Sequence, residues 1–161
     1  MYDEILKLVT NDNYIEEILL TINSSGGNVK VTFAIYDLLK SLNVKIKTVV
    51  LGKCYSMATI LFAMGEERYI GENASYMLHQ VNYTFGKDLT ITFNELIQML
   101  QCAQEDQKRW KQIIKGTCTG PITEFLDKVF SSGDDTFLTP DQVLKLGLAT
   151  EIFANIKEII K

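Results

Sequence analysis

The stretch from Ile46 to Met64 constrains this chain most. An apolar, partly β-branched run, Ile46 to Leu51, meets Gly52, and Ser56-Met57-Ala58 then opens an apolar segment that continues to Met64. A strand, a glycine and a small polar residue at the mouth of an apolar helix predict a strand-to-helix turn that presents a hydroxyl. Free backbone N–H groups at such a turn favour developing negative charge. The single histidine, His79, closes a second strand-like run, Tyr76 to Leu78. One candidate nucleophile and one imidazole base make a catalytic pair.

The strand-turn-helix pattern occurs more than once. Ile18 to Ile22 predicts a buried strand, Ser24-Ser25-Gly26-Gly27 a tight turn, and Val29 to Leu42 a helix with Val29, Phe33, Ile35, Tyr36, Leu38 and Leu39 at helical spacing. Asp3 to Val9 predicts a short helix, Tyr69-Ile70 a short strand, and alternation continues through Asn82 to Phe85. Phe93 to Ile114 predicts a long amphipathic helix, with Asn94 near its start and Gly116 past its end. Pro121 to Phe130 and Thr139 to Leu146 predict two more helices, the first opened by Pro121 and the second ended by Gly147, before a short strand at Glu151-Ile152-Phe153. Alternating strands and helices indicate an α/β chain. With 161 residues, 47% of them hydrophobic, only two prolines and no linker, residues 1–161 are expected to form one domain.

Bulk properties exclude several functions. A net charge of -4 and a pI of about 5.0 leave no basic footprint for nucleic acid. No apolar run approaches the ~20 residues of a membrane span. The start, Met1-Tyr2-Asp3-Glu4, lacks the basic and apolar regions of a secretory signal, and Cys54, Cys102 and Cys118 have no metal-ligand spacing. Free thiols in the cytoplasm, with no metal and no cofactor, are the expectation.

Acyl transfer by a serine needs a base, and a neutral imidazole suits the task. A carboxylate behind the imidazole fixes its tautomer, and N–H donors must meet the oxyanion. The Gly26-Gly27 turn and the Met57 N–H are natural donors. Each residue also has a plainer reading. Ser56 suits a helix N-cap, His79 a satisfied strand end, Gly26-Gly27 an ordinary turn, and Cys54 inert packing. Twenty Asp and Glu residues compete for the carboxylate role, and composition does not choose among them.

Taken together, the motifs resemble the proteolytic-subunit family of the Clp protease, serine peptidases of crotonase-like fold. Ile22-Asn23-Ser24-Ser25-Gly26-Gly27 is similar to the family's INSPGG, and Ala34-Ile35-Tyr36-Asp37 to its AIYD. Gly52 to Ala58 resembles the nucleophile element, Tyr76 to Gln80 the xMIHQ element, and Asp135 to Thr139 the DxFL[ST] element. Asp141 to Leu148 resembles the segment that follows, so the likeness runs through nearly the whole chain in the family's order.

The resemblance implies a serine endopeptidase with Ser56 as nucleophile, His79 as base and acid, and Asp135 rather than Asp134 as orienting carboxylate. Gly27 and Met57 would supply the oxyanion hole. It implies peptide or unfolded-protein substrates and repeated strand-strand-helix units. Phe93 to Ile114 would be a protruding handle helix joining stacked heptameric rings into a homo-oligomeric chamber. An AAA+ unfoldase partner is also implied, although the resemblance has the chain begin within the helix before the INSPGG strand, without the axial loops and part of the docking surface that the family usually carries.

Other departures bear on activity. Ser25 and Val81 replace prolines, Asn82 to Lys87 replaces a glycine-rich substrate strand, and Gly133-Asp134-Asp135 replaces DRD, whose arginine contributes to ring contacts. They keep a second expectation open, a catalytically silent subunit or scaffold in a mixed ring. A third, an acyl-CoA enzyme of the same superfamily, has only the Gly26-Gly27 turn in its favour.

Overall fold

The computed structural model describes residues 15–82, 90–118 and 122–160. The helix expected over Asp3–Val9, the strand continuing through Phe85, the substrate strand beyond Asn82 and the Pro121 helix start lie outside these residues. Six strands are described: β1 (Glu17–Ser24), β2 (Lys45–Tyr55), β3 (Glu67–Gly71), β4 (Ser75–Leu78), β5 (Thr136–Leu138) and β6 (Glu151–Phe153). They alternate with α1 (Val29–Ser41), α2 (Ala58–Ala63), α3 (Phe93–Thr117), α4 (Ile122–Ser132) and α5 (Pro140–Lys145). The strands form one sheet, ordered β5-β4-β2-β3-β6, with β1 also paired to β2. The α/β class expected from the sequence is borne out.

Strand β2 organises the sheet. Its first part runs parallel to β1, and Lys47–Val50 pairs with β3, whereas Lys53–Tyr55 pairs with β4. Between the two parts sits Gly52 at φ +91°, where a methyl group would stand 3.0 Å from Asn23 Oδ1. The strand therefore does not end at Gly52, as the sequence reading has it. It kinks there, shifts register against β1 between Ile22 and Ser24, and continues to Tyr55. The pairing with β4 accounts for the extra residues.

Both faces of β2 are covered, which explains its nearly continuous apolar run. Val50 joins the main core with Met57, Phe62, Trp110 and Leu126. Its neighbour Val49 points the other way, toward Phe153 and Ile159. Helix α2 lies deep in the main core, with Ala58, Thr59, Ile60, Phe62 and Ala63 all buried. Buried Arg68 ties distant segments together: Nε donates to Leu148 O at 2.8 Å, Nη1 to Gly65 O at 3.0 Å, and Nη2 to Thr117 O at 3.0 Å and Gly147 O at 3.2 Å. Four carbonyl acceptors satisfy a guanidinium that would otherwise be costly to bury.

Helix α3 starts one residue after Thr92, whose side chain forms a capping box with Glu95, and Asn94 lies in its first turn as expected. Gly116 falls inside the last turn rather than beyond it. The helix has two unlike halves. Phe93, Leu96, Ile97 and Leu100 are exposed along one stripe, whereas Asp106, Trp110 and Ile114 are buried. Asp106 is 2% exposed and accepts from Lys30 Nζ at 2.7 and 2.9 Å, joining α3 to the first turn of α1. Thr139 caps α5 in a box with Gln142, with Pro140 at the first turn, as expected. Among the described residues no helix is long and apolar enough to cross a membrane.

Candidate active site

Strand register brings the candidate residues together. β4 runs parallel to the end of β2, pairing Tyr55 with Met77, and Ser56 N donates to Met77 O at 2.9 Å. β5 runs antiparallel to β4, pairing Leu78 with Thr136, so the next pair outward is His79 and Asp135. The residue leaving β2, the residue leaving β4 and the residue entering β5 thus meet at one end of the sheet. That is why positions 56, 79 and 135, far apart in sequence, can act on one another.

Ser56 Oγ lies 2.7 Å from His79 Nε2. Ser56 has φ +53°, a left-handed backbone that a serine rarely adopts, between a strand and the turn into α2. The residue at the N-cap position of α2 is Met57, with no side-chain cap, so the capping explanation for Ser56 does not apply. Its hydroxyl is directed to the imidazole instead. Such local strain is characteristic of sites where a side chain must be held outward.

On the far side of the ring, Asp135 Oδ1 is 3.4 Å from His79 Nδ1. Asp134 takes a different part, its N–H donating to Ser132 Oγ at 3.2 Å within the turn before β5. The imidazole is wedged against Trp110 of α3, the ring centroids 6.2 Å apart and the planes at 86°. Trp110 Nε1 donates to Thr59 Oγ1 at 2.9 Å, and Thr59 Oγ1 donates to Ser56 O at 2.6 Å. The serine backbone and the imidazole are therefore braced by one tryptophan.

The glycine turn leans on the serine. A methyl group on Gly26, at φ +91°, would stand 2.7 Å from both Ser56 Cβ and Tyr55 O, and 3.0 Å from Met57 N. Gly26 N itself donates to Ser24 Oγ at 3.1 Å. Among the described residues no hydrogen bond takes the N–H of Gly27 or Met57. Cys54 is wholly buried, and burial pushes its thiol far above its ordinary range, so it stays protonated.

The sequence reading did not single out Gly26 as the closest glycine, the Trp110–Thr59 brace, or Asn82, whose Nδ2 lies 3.1 Å from His79 Nδ1. Only Trp110 carried a signal, because a buried indole N–H needs a polar partner. Chemically, the arrangement brings one serine hydroxyl within hydrogen-bond distance of one imidazole nitrogen, the contact that a serine nucleophile and its base require. Among the described residues no group of three or more His, Cys, Asp or Glu side chains is gathered as a metal site requires.

The sequence model of the Clp protease family matches residues 2–156. The ATP-dependent Clp protease proteolytic subunit of Carsonella ruddii is 29% identical over 143 residues, which cover 85% of this chain and 68% of that protein. The ATP-dependent Clp protease proteolytic subunit 1 of Bifidobacterium longum is 29% identical over 145 residues, 86% of this chain and 58% of that protein.

Proposed function

This chain belongs to the Clp protease family, and we propose that it hydrolyses peptide bonds with Ser56 as the nucleophile. The family is one of serine proteases, and the crotonase-like arrangement of strands, helices and long α3 accords with it. One observation carries the reading: Ser56 Oγ is 2.7 Å from His79 Nε2 on a backbone that serves no helix cap.

In the proposed mechanism His79 Nε2 takes the Ser56 proton as Oγ attacks the substrate carbonyl carbon. The tetrahedral oxyanion accepts hydrogen bonds from the N–H groups of Gly27 and Met57. Collapse breaks the C–N bond, and His79 returns the proton to the leaving amine. Water, deprotonated by the same imidazole, then attacks the Ser56 ester and releases the acid. Asp135 orients His79 and stabilises the imidazolium. No step calls for a metal or a bound cofactor.

The assembly proposed is a homo-oligomer of heptameric rings, stacked so that the sites face an inner chamber. The exposed stripe of α3 supports it, as does the word subunit in the names of both relatives. Their ATP dependence supports an AAA+ unfoldase as partner, with unfolded protein as substrate. The three cysteines form no disulfide, and a reducing cytoplasmic compartment is the proposed setting.

The test is labelling with a fluorophosphonate probe beside Ser56→Ala and His79→Ala. Wild type alone should be labelled, and peptide turnover should fall by about 10⁴ or more in either variant. Equal turnover in wild type and Ser56→Ala would overturn the reading. A second reading, a silent ring subunit, draws on the 3.4 Å gap between His79 Nδ1 and Asp135, which is long for a hydrogen bond. It predicts a folded, assembled protein that the probe leaves untouched.

A further inference from the structure

His79 Nδ1 has two side chains against it. Asp135 Oδ1 approaches from the start of β5 at 3.4 Å, and the carboxamide nitrogen of Asn82 from the segment leaving β4 at 3.1 Å. A hydrogen bond of this kind normally spans 2.7–3.2 Å, so Asn82 is the partner at bonding distance. The Asp135 side chain is 53% exposed, against 18% for His79. A carboxylate so placed is screened by solvent, and holding it in one geometry costs side-chain entropy. Asn82 is only three residues from His79, and its reach depends on local backbone alone.

The tautomer decides what Asn82 can do. An imidazole that serves as base toward Ser56 must keep the Nε2 lone pair free and carry its proton on Nδ1, so its partner there must accept. The carboxamide oxygen and nitrogen are nearly superimposable, and a half-turn of the terminal group puts Oδ1 where Nδ2 stands. In that orientation Asn82 accepts from Nδ1–H alongside Asp135. In the opposite one Nδ2–H donates to Nδ1, the ring proton moves to Nε2, and His79 becomes a donor toward Ser56.

We propose that Asn82 is a positioning residue that shares His79 Nδ1 with Asp135, its carboxamide oxygen holding the ring in the base tautomer when Asp135 is absent. The proposal rests on the reading of Ser56 and His79 as nucleophile and base. It gives the site a neutral partner beside a charged one, drawn from a different strand end. Orientation of the carboxamide thereby selects between a competent and an idle serine.

Because His79 is the chain's only histidine, imidazole-¹⁵N labelling reads its tautomer without assignment. The comparison uses wild type, Asn82→Ala, Asp135→Ala, the double variant, and Asn82→Asp combined with Asp135→Ala. Nδ1–H should dominate in wild type and persist in Asp135→Ala, but give way to Nε2–H in the double alanine variant. Fluorophosphonate labelling should follow: Asp135→Ala slows it by no more than about 10²-fold, and the double variant by about 10⁴-fold, the cost of a wrong tautomer. Asn82→Asp should restore both readouts in the Asp135→Ala background, which a merely structural asparagine would not do. A tautomer unchanged between Asp135→Ala and the double variant overturns the proposal, as does failure of Asn82→Asp to restore Nδ1–H. Failure of the catalytic reading looks different, namely no labelling of wild type whatever the spectrum of the ring shows.

Discussion

At Gly26 a single hydrogen atom faces Ser56, the proposed nucleophile. An alanine there would need both an unfavourable φ of +91° and room that Ser56 Cβ and Tyr55 O occupy at 2.7 Å. One of these obstacles is backbone, so the turn must move rather than a flexible side chain. Gly26→Ala should destabilise the fold by more than about 1 kcal/mol and slow probe labelling more than that loss accounts for, as urea unfolding and labelling kinetics on the same sample would show. At this scale the sequence was legible where chemistry is local. Ser56 and His79 stand out because the serine follows a strand and a glycine at the mouth of an apolar segment, and because the chain holds one histidine. Asn82 was invisible, because the reach of a short side chain back to a ring three residues earlier depends on a backbone path that no periodicity records. The choice of Gly26 over Gly27 as the residue against Ser56 was equally hidden, since two adjacent glycines differ only in which one the turn presses inward.

Helix α3 has one exposed and one buried half. Its buried half carries Trp110, which contacts the His79 ring and through Thr59 reaches the Ser56 carbonyl. Trp110→Phe keeps a ring in the cavity but removes the N–H donor and leaves a gap. A loss of about 1–2 kcal/mol in unfolding free energy, with severalfold slower labelling, is the expected result. Thr59→Ser, which retains the hydroxyl, should preserve labelling. Element existence was easy to read here, because apolar residues at helical spacing run on for several turns. Element ends were not. Thr92 caps α3 because Glu95 closes the box, and β2 passes Gly52 because β4 offers it a partner; both are outcomes of pairing across distance.

The described residues place the proposed site at the meeting of three strand ends, and their register is a property that only the assembled sheet possesses. That explains why sequence motifs named Ser56, His79 and Asp135 through a resemblance, yet composition could not pick one carboxylate among many. The same scale governs the exposed stripe of Phe93, Leu96, Ile97 and Leu100, with Phe93 76% exposed. If this stripe joins subunits, Leu96→Glu with Leu100→Glu should yield a smaller species by sedimentation velocity while the isolated fold, judged by circular dichroism, is retained. An unchanged sedimentation coefficient would remove α3 from the proposed assembly. The chain also holds a single tryptophan, and it is the one lodged edge-on to the imidazole. An indole in so dry a place emits toward the blue, and a neighbouring imidazolium quenches it. The unmodified protein therefore carries its own lamp beside His79, and its brightness reports when that ring has gained a proton.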